Sequence, residues 1–202
     1  MQEQALNDQV GEWIQSTKNG DDDAFTNIVD LYQQNVYNMC YRMLGTPQEA
    51  EDAAQEAFWR AYQALNRYDS KRPFLTWLLS IAAHYCIDQQ RKRKFLSFSI
   101  DELPETNIAS DAPLPETAVS SSDQEKHIQI LLNSMKPIDK AVLIMRYWHE
   151  CSEKEIAESL SISISAVKSR LHRARKILAQ KWEALPDPNL YTERKRNESS
   201  AL

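Results

Sequence analysis

Between Ile164 and Trp182 the chain carries Lys168, Arg170, Arg173, Arg175, Lys176 and Lys181 and no acidic residue. Val167, Leu171, Ala174 and Leu178 recur through the same stretch at three- and four-residue steps, the spacing of one buried helical stripe. A helix that buries one stripe and shows only cations elsewhere can neutralise phosphates and reach base edges in a DNA groove. The alternative is an ordinary amphipathic helix with a solvated face. Solvated faces usually mix signs, as the preceding stretch does with Glu153, Lys154, Glu155 and Glu158.

That preceding stretch is the element that must position the basic helix. Ile156, Ala157 and Leu160 give it an apolar face, and Ser152 with Glu155 three residues on forms a capping box that fixes its start. Ala157 lies where two helices of a tight hairpin approach closely, so a small side chain is needed there. The turn, residues 161–163, has Ser where Gly would most easily take positive φ, at a cost of about 0.5–1 kcal/mol.

A second group of residues could bind rather than react. Asp52, Gln55, Glu56 and Trp59 share one helical face, which reads either as a protein-docking surface or as a solvated face. Farther on come PFLTWLLSIAAH at residues 73–84 and the cations Arg91, Lys92, Arg93 and Lys94. Aromatic rings beside cations suit single-stranded nucleic acid, with bases stacking on rings while Lys and Arg follow phosphates. Phe74 and Trp77 fit a core better than a platform; Tyr68, in a break between helices, is the freer ring.

No catalytic set is present. The chain has no Gly-rich phosphate loop, no HExxH and no paired Cys-x-x-Cys. His84, His127, His149 and His172 are dispersed, and His149-Glu150-Cys151 lacks the further ligands of a zinc site. Cys40 and Cys86 read as buried thiols. Neither an enzyme activity, a metal nor a cofactor is expected.

Only three glycines in 202 residues, together with long periodic apolar patterns, predict an all-α protein. Residues 1–22 form an N-terminal segment without a signal-peptide h-region. Residues 23–94 hold three helices that can enclose a small core. Residues 95–122, with Pro104, Pro113 and Pro115 and net negative charge, read as a flexible acidic linker between two small domains. Residues 123–184 are the second, hairpin-bearing domain, and 185–202 a polar tail. The net charge of −5 is unevenly spread, and that asymmetry points to several partners, one of them polyanionic. No apolar run approaches the ~20 residues of a membrane span, so membrane insertion is not expected and a cytoplasmic location is.

The order of features is specific. DAAQEAF at 52–58, PFLTWLLSIAAH with a basic helix end, an acidic linker and a basic helix-turn-helix together resemble a bacterial sigma-70 family factor. More narrowly the chain resembles the extracytoplasmic-function (ECF) group, which keeps only regions 2 and 4. The resemblance covers residues 23–94 and 123–184. It implies a factor that binds core RNA polymerase and directs promoter recognition, strand opening and initiation at a stress- or signal-responsive regulon.

The resemblance also implies roles. Asp52, Gln55, Glu56 and Phe58 would dock on the β′ clamp helices of core RNA polymerase, with β as a further contact. Tyr68, Lys71, Arg72, His84, Arg91 and Arg93 would handle the −10 element, the break at 68–73 capturing a flipped base. Lys168, Ser169, Arg170, His172, Arg173 and Lys176 would read the −35 element. An anti-sigma factor is the partner implied for the resting state. One departure bears on specificity: His84 stands where the family commonly has Asn, and an imidazole cannot present an amide's paired donor and acceptor. The nearest rivals are a helix-turn-helix repressor with a sensing domain, which would need βα alternation, and a helical adaptor that binds acidic proteins.

Overall fold

In the computed structural model, residues 2–100 and 122–184 are described. They form eight α-helices: α1 (Gln2–Lys18), α2 (Asp22–Leu44), α3 (Pro47–Ala64), α4 (Phe74–Ile100), α5 (Ser122–Asn133), α6 (Pro137–Tyr147), α7 (Glu153–Ser159) and α8 (Ile164–Ala184). The all-α expectation is met. The linker region lies mostly outside the described residues, but α4 runs on to Ile100, past the basic cluster.

Helix α1 fills most of the N-terminal segment 1–22, for which no helix is predicted. Its stripe of Leu6, Val10, Trp13, Ile14 and Thr17 follows helical spacing around a central Gly11, and Val10 and Ile14 are buried against the first lobe. Local chemistry fixes the next helices. Asp21 caps α2 by accepting from the Ala24 N–H at 3.2 Å, with Asp22 and Asp23 in the first turn where the helix dipole favours them. Gly45 ends α2 at φ 96°, its N–H donating to the Tyr41 carbonyl at 2.8 Å. Pro47 opens α3, whose buried side is Ala50, Ala53, Ala54, Ala57 and Ala61 with Phe58. That row of alanines lets α2 and α4 close tightly on α3.

The second lobe is built around α6. Residues 139–145 are all buried, so this helix has no solvent face along most of its length. A helix apolar on every side belongs between two layers. Here one side meets α7 and α8 and the other meets α2 and α4 of the first lobe, giving one contiguous core. Lys140 crosses that junction: it is 2% exposed, and its ammonium donates to the Met43 carbonyl at 2.7 Å and to Asn133 Oδ1 at 2.8 Å. The end of α2 is the negative pole of its dipole, which suits a cation. Burial lowers the Lys140 pKa to about 8. Around it, the Gln129 amide donates to the Arg42 carbonyl at 3.2 Å, and the Arg42 guanidinium sits 4.4 Å from the Trp148 ring centre.

Candidate nucleic-acid interface

The hairpin α7–α8 forms as its residues dictate. Ser152 and Glu155 cap each other's backbone in a complete capping box. Ser161 turns the chain at φ 53°, the left-handed conformation expected of that position, and the Ile162 N–H closes on the Ala157 carbonyl at 2.9 Å. Ser163 Oγ then accepts from the Ala166 N–H at 3.1 Å, starting α8. Val167, Leu171 and Ala174 face the core, while Lys168, Ser169, His172, Arg173 and Lys176 stand exposed. Ser165 belongs to the same outward face, three residues before Lys168; a lone serine ahead of a cationic run gave no earlier signal.

Arg170 is placed differently from its neighbours. Its side chain is 24% exposed and one guanidinium nitrogen lies 2.5 Å from Asp139 Oδ1 of α6, while Arg173 reaches the same carboxylate at 4.0 Å. Lys168 lies 3.7 Å from Glu153 of α7. The helix is thus oriented by internal carboxylates before any phosphate arrives.

In the first lobe the segment between α3 and α4 carries the second set. Tyr68 is half-buried: its ring packs edge-on to Phe74 at 5.2 Å and against Trp77 at 5.1 Å, and its hydroxyl donates to the Arg72 carbonyl. Burial raises its pKa to about 12. Tyr68 is therefore not the free ring expected from its place in a break, because the adjoining aromatics supply a surface for it to bury against. Lys71 is exposed, and its backbone N–H is held by Asp69 Oδ1 at 3.0 Å. Arg72 reaches across to Glu158 of α7 at 3.3 Å.

Along α4, Trp77, Ile81, His84, Asp88 and Arg91 fall on one face by helical spacing. His84 is exposed with Nδ1 2.7 Å from the Ser80 carbonyl. With Nδ1 turned to that carbonyl, Nε2 is the ring nitrogen left facing outward. Arg91 lies 3.7 Å from Asp88, and Arg93 turns to an ion pair with Glu49 of α3. Of the predicted −10 set, Tyr68, Lys71 and Arg72 lie together ahead of α4, His84 and Arg91 follow along its exposed face, and Arg93 turns away to α3.

Helix α3 carries the acidic face. Asp52, Gln55 and Trp59 are exposed and Glu56 is half-exposed, held by Arg60 at 2.7 Å. Phe58 is 8% exposed and belongs to the core; the ring offered to solvent is Trp59, at 57%. Beside it an open groove of about 1080 Å³ runs between α2 and α3, walled by Phe25, Val29, Tyr37, Trp59 and Tyr62.

The three thiols are buried and free. Cys40 is raised by its contact with Cys86 and by burial, and burial pushes Cys151 up to about 11. His149 is lowered to about 4 by burial and by the nearby Arg42 cation.

Two family models cover the two lobes: sigma-70 region 2 matches residues 28–95 and sigma-70 region 4 matches residues 128–178. The class is thus a two-region sigma-70 protein. The chain is 41% identical over 179 residues to the ECF RNA polymerase sigma factor SigW of Bacillus subtilis (strain 168), spanning 85% of this chain and 96% of that one. It is 29% identical over 189 residues to the ECF RNA polymerase sigma-E factor of Escherichia coli (strain K12), spanning 89% and 96%. It belongs to the ECF group of RNA polymerase sigma factors.

The fold agrees. CnrH, solved in complex with the cytosolic domain of CnrY, superposes with a TM-score of 0.64 at 19% identity over 89% of this chain and 99% of that one. The sigma factor RpoE, solved with the anti-sigma factor NepR from Bartonella quintana, gives 0.61 at 19% identity over 79% and 96%.

Proposed function

We propose that the chain is a dissociable promoter-recognition subunit without enzymatic activity of its own, working in the cytoplasm. Region 2 docks on the β′ clamp helices of core RNA polymerase through Asp52, Gln55, Glu56 and Trp59, with Phe58 supporting that face from below. The segment 68–73 and the outward face of α4 hold the melted −10 strand. The outward face of α8 enters the −35 major groove, with phosphate contacts fixing register and a few side chains reading base edges. The observation that carries this reading is the pairing of two separate surfaces, one cationic and helical on α8, the other aromatic and cationic around Tyr68, on opposite lobes of one chain.

The packed lobes cannot serve two separated promoter elements at once, since Arg72 of the −10 segment touches Glu158 of the −35 hairpin. Engagement therefore parts the lobes, and residues 101–121 can extend to roughly 70 Å to permit it. An anti-sigma factor would hold the resting state, a reading supported by the partner with which RpoE was solved. Among the described residues no helix is long and apolar enough to cross a membrane.

Reconstituted transcription with purified chain and core polymerase on a promoter library tests this reading. Start sites sharing two spaced elements are expected. Absence of both start-site selection and core binding would sink it.

A further inference from the structure

His149 and Arg42 meet where the two lobes join, and neither lies on the cationic face of α8 or the acidic face of α3. The turn that carries His149 is pinned. The Cys151 N–H donates to the Met145 carbonyl at 3.0 Å, Arg146 donates to the Cys151 carbonyl at 3.0 Å, and the chain reverses at Glu150 with φ 53°. Arg42 comes from α2 of the other lobe, its guanidinium 4.4 Å from the Trp148 ring centre.

Both ring nitrogens of His149 and the Nε of Arg42 are buried, and none of the three finds a hydrogen-bond partner among the described residues. A neutral imidazole can be accommodated in such a place. An imidazolium is opposed twice, by lost hydration and by the cation facing it. Both causes act to bring the His149 pKa down from 6.5 to about 4.

The neighbouring charges offer no relief. Arg42 acts on the ring directly, while Glu125 of α5 and Tyr41 of α2 act on Arg42. On α6, Lys140 is turned to the Met43 carbonyl and Arg146 to the Cys151 carbonyl; Glu150, beside the ring in sequence, is exposed. When the lobes part, Arg42 leaves with α2 and the burial of His149 at the junction is relieved.

We propose that His149 is a proton-sensitive latch between the lobes: its neutral ring fits the packed junction, and uptake of a proton drives the lobes apart. Between pH 6.5 and 4 the parted chain binds a proton that the packed chain does not. Packing therefore keeps its full strength above this window and weakens as pH falls through it. From pH 7.5 to 5 the packing constant should fall by roughly thirtyfold. Lys140, with its pKa of about 8, titrates above the window. The inference rests on the reading that the lobes can separate, and it adds that acid favours the parted arrangement which two promoter elements require.

The test uses the full free chain. Histidine ring resonances are followed by NMR from pH 7.5 to 4.5, with His149→Phe assigning the signal. In the wild type His149 is expected to titrate well below 6.5. In Lys140→Glu, which sets a carboxylate against the end of α2 and parts the lobes, it is expected to return to about 6.5, the ordinary histidine value. A wild-type His149 that titrates near 6.5, or one that stays low with the lobes parted, overturns the latch. Small-angle scattering gives a second readout. The radius of gyration should rise from pH 7.5 to 5 in the wild type, with far-UV circular dichroism unchanged, and stay level in His149→Phe, whose ring takes no proton. An equal response of the two chains, or expansion accompanied by loss of helix, also overturns it. Neither readout involves polymerase or DNA, so a failure of the promoter reading is seen separately, in reconstituted transcription.

Discussion

The two lobes solve the same problem, presenting cations to nucleic acid, in opposite ways. In the first, α1–α4 enclose a core of aliphatic side chains and alanines with Tyr32, Phe58 and Phe74, and the cations Lys71, Arg91 and Lys92 stand exposed at its rim. In the second, the core is small and α6 completes it by burying a face against its neighbour. Asp139 and Lys140, adjacent in sequence, show the result: Asp139 is 7% exposed and turns inward to Arg170 and Arg173, while Lys140 turns across the junction to the end of α2. One charge holds the lobe together and the other holds the lobes to each other. The basic helix of the small lobe is thus oriented by a mostly buried ion pair, whereas the rim cations of the larger lobe make more exposed pairs, Arg91 with Asp88 and Arg93 with Glu49.

Asp139→Ala is the sharpest way to break that contrast. It leaves the mostly buried Arg170 without its carboxylate and loosens α8 from α6. Removing one partner of such a buried pair costs about 3 kcal/mol, so denaturant unfolding should show a marked loss in the second lobe. Lys168→Ala, which breaks only the exposed contact to Glu153, should cost less than about 1 kcal/mol. Equal effects would mean that Asp139 does not orient the helix.

Lys140 sharpens the comparison through pH. Its pKa in the packed protein, about 8, lies below the ordinary lysine value of 10.5 because burial disfavours the cation. Between those values the unfolded chain binds a proton that the packed chain does not, so stability rises with pH across this window. The neutral amine keeps two N–H groups, enough for both the Met43 carbonyl and Asn133. Thermal unfolding from pH 7.5 to 10 should therefore show a rising contribution that is absent from Lys140→Met. A Lys140→Met protein with the wild-type slope would assign the effect to another group.

Much of this was legible in the sequence, and the misses have physical causes. The capping box at Ser152, the small Ala157 and the positive φ at Ser161 follow from local rules, because each depends on residues within one or two turns. The buried stripes of α2 and α8 follow from periodicity. Helix α1 was missed because Gly11 and its polar neighbours mask a stripe anchored mainly by Val10 and Ile14. The packing of Tyr68 and the inward turn of Arg170 depend on partners such as Trp77 and Asp139, the latter 31 positions away. The junction of the lobes depends on partners as far apart as Lys140 and Met43, 97 positions away, which periodicity along the chain cannot signal.

Glu158→Gln separates the contact between lobes from the cores within them. The Arg72–Glu158 bridge is exposed, with side chains 40% and 39% accessible, so its loss should change unfolding by less than about 1 kcal/mol. It nevertheless frees Arg72, a cation of the segment proposed to hold the −10 strand. Binding of single-stranded −10 DNA by the isolated chain should strengthen and become more salt-dependent, measured by fluorescence anisotropy across a salt series. Unchanged affinity and salt slope would show that Arg72 takes no part in holding the strand.

The smallest expected effect lies at the hairpin turn. Ser161 holds φ at 53° with its side chain exposed, a conformation that glycine adopts without the Cβ penalty. Ser161→Gly relieves that strain but adds backbone freedom to the unfolded chain, so the two terms partly cancel. The net gain should be about 0.5 kcal/mol, seen as a small upward shift of the second lobe's melting temperature. Its value is diagnostic: the substitution touches neither Asp139 nor Lys140, so −35 binding by holoenzyme should stay at the wild-type level. A changed −35 affinity would mean that the turn, and not only the Asp139 pairing, sets the angle at which α8 is presented.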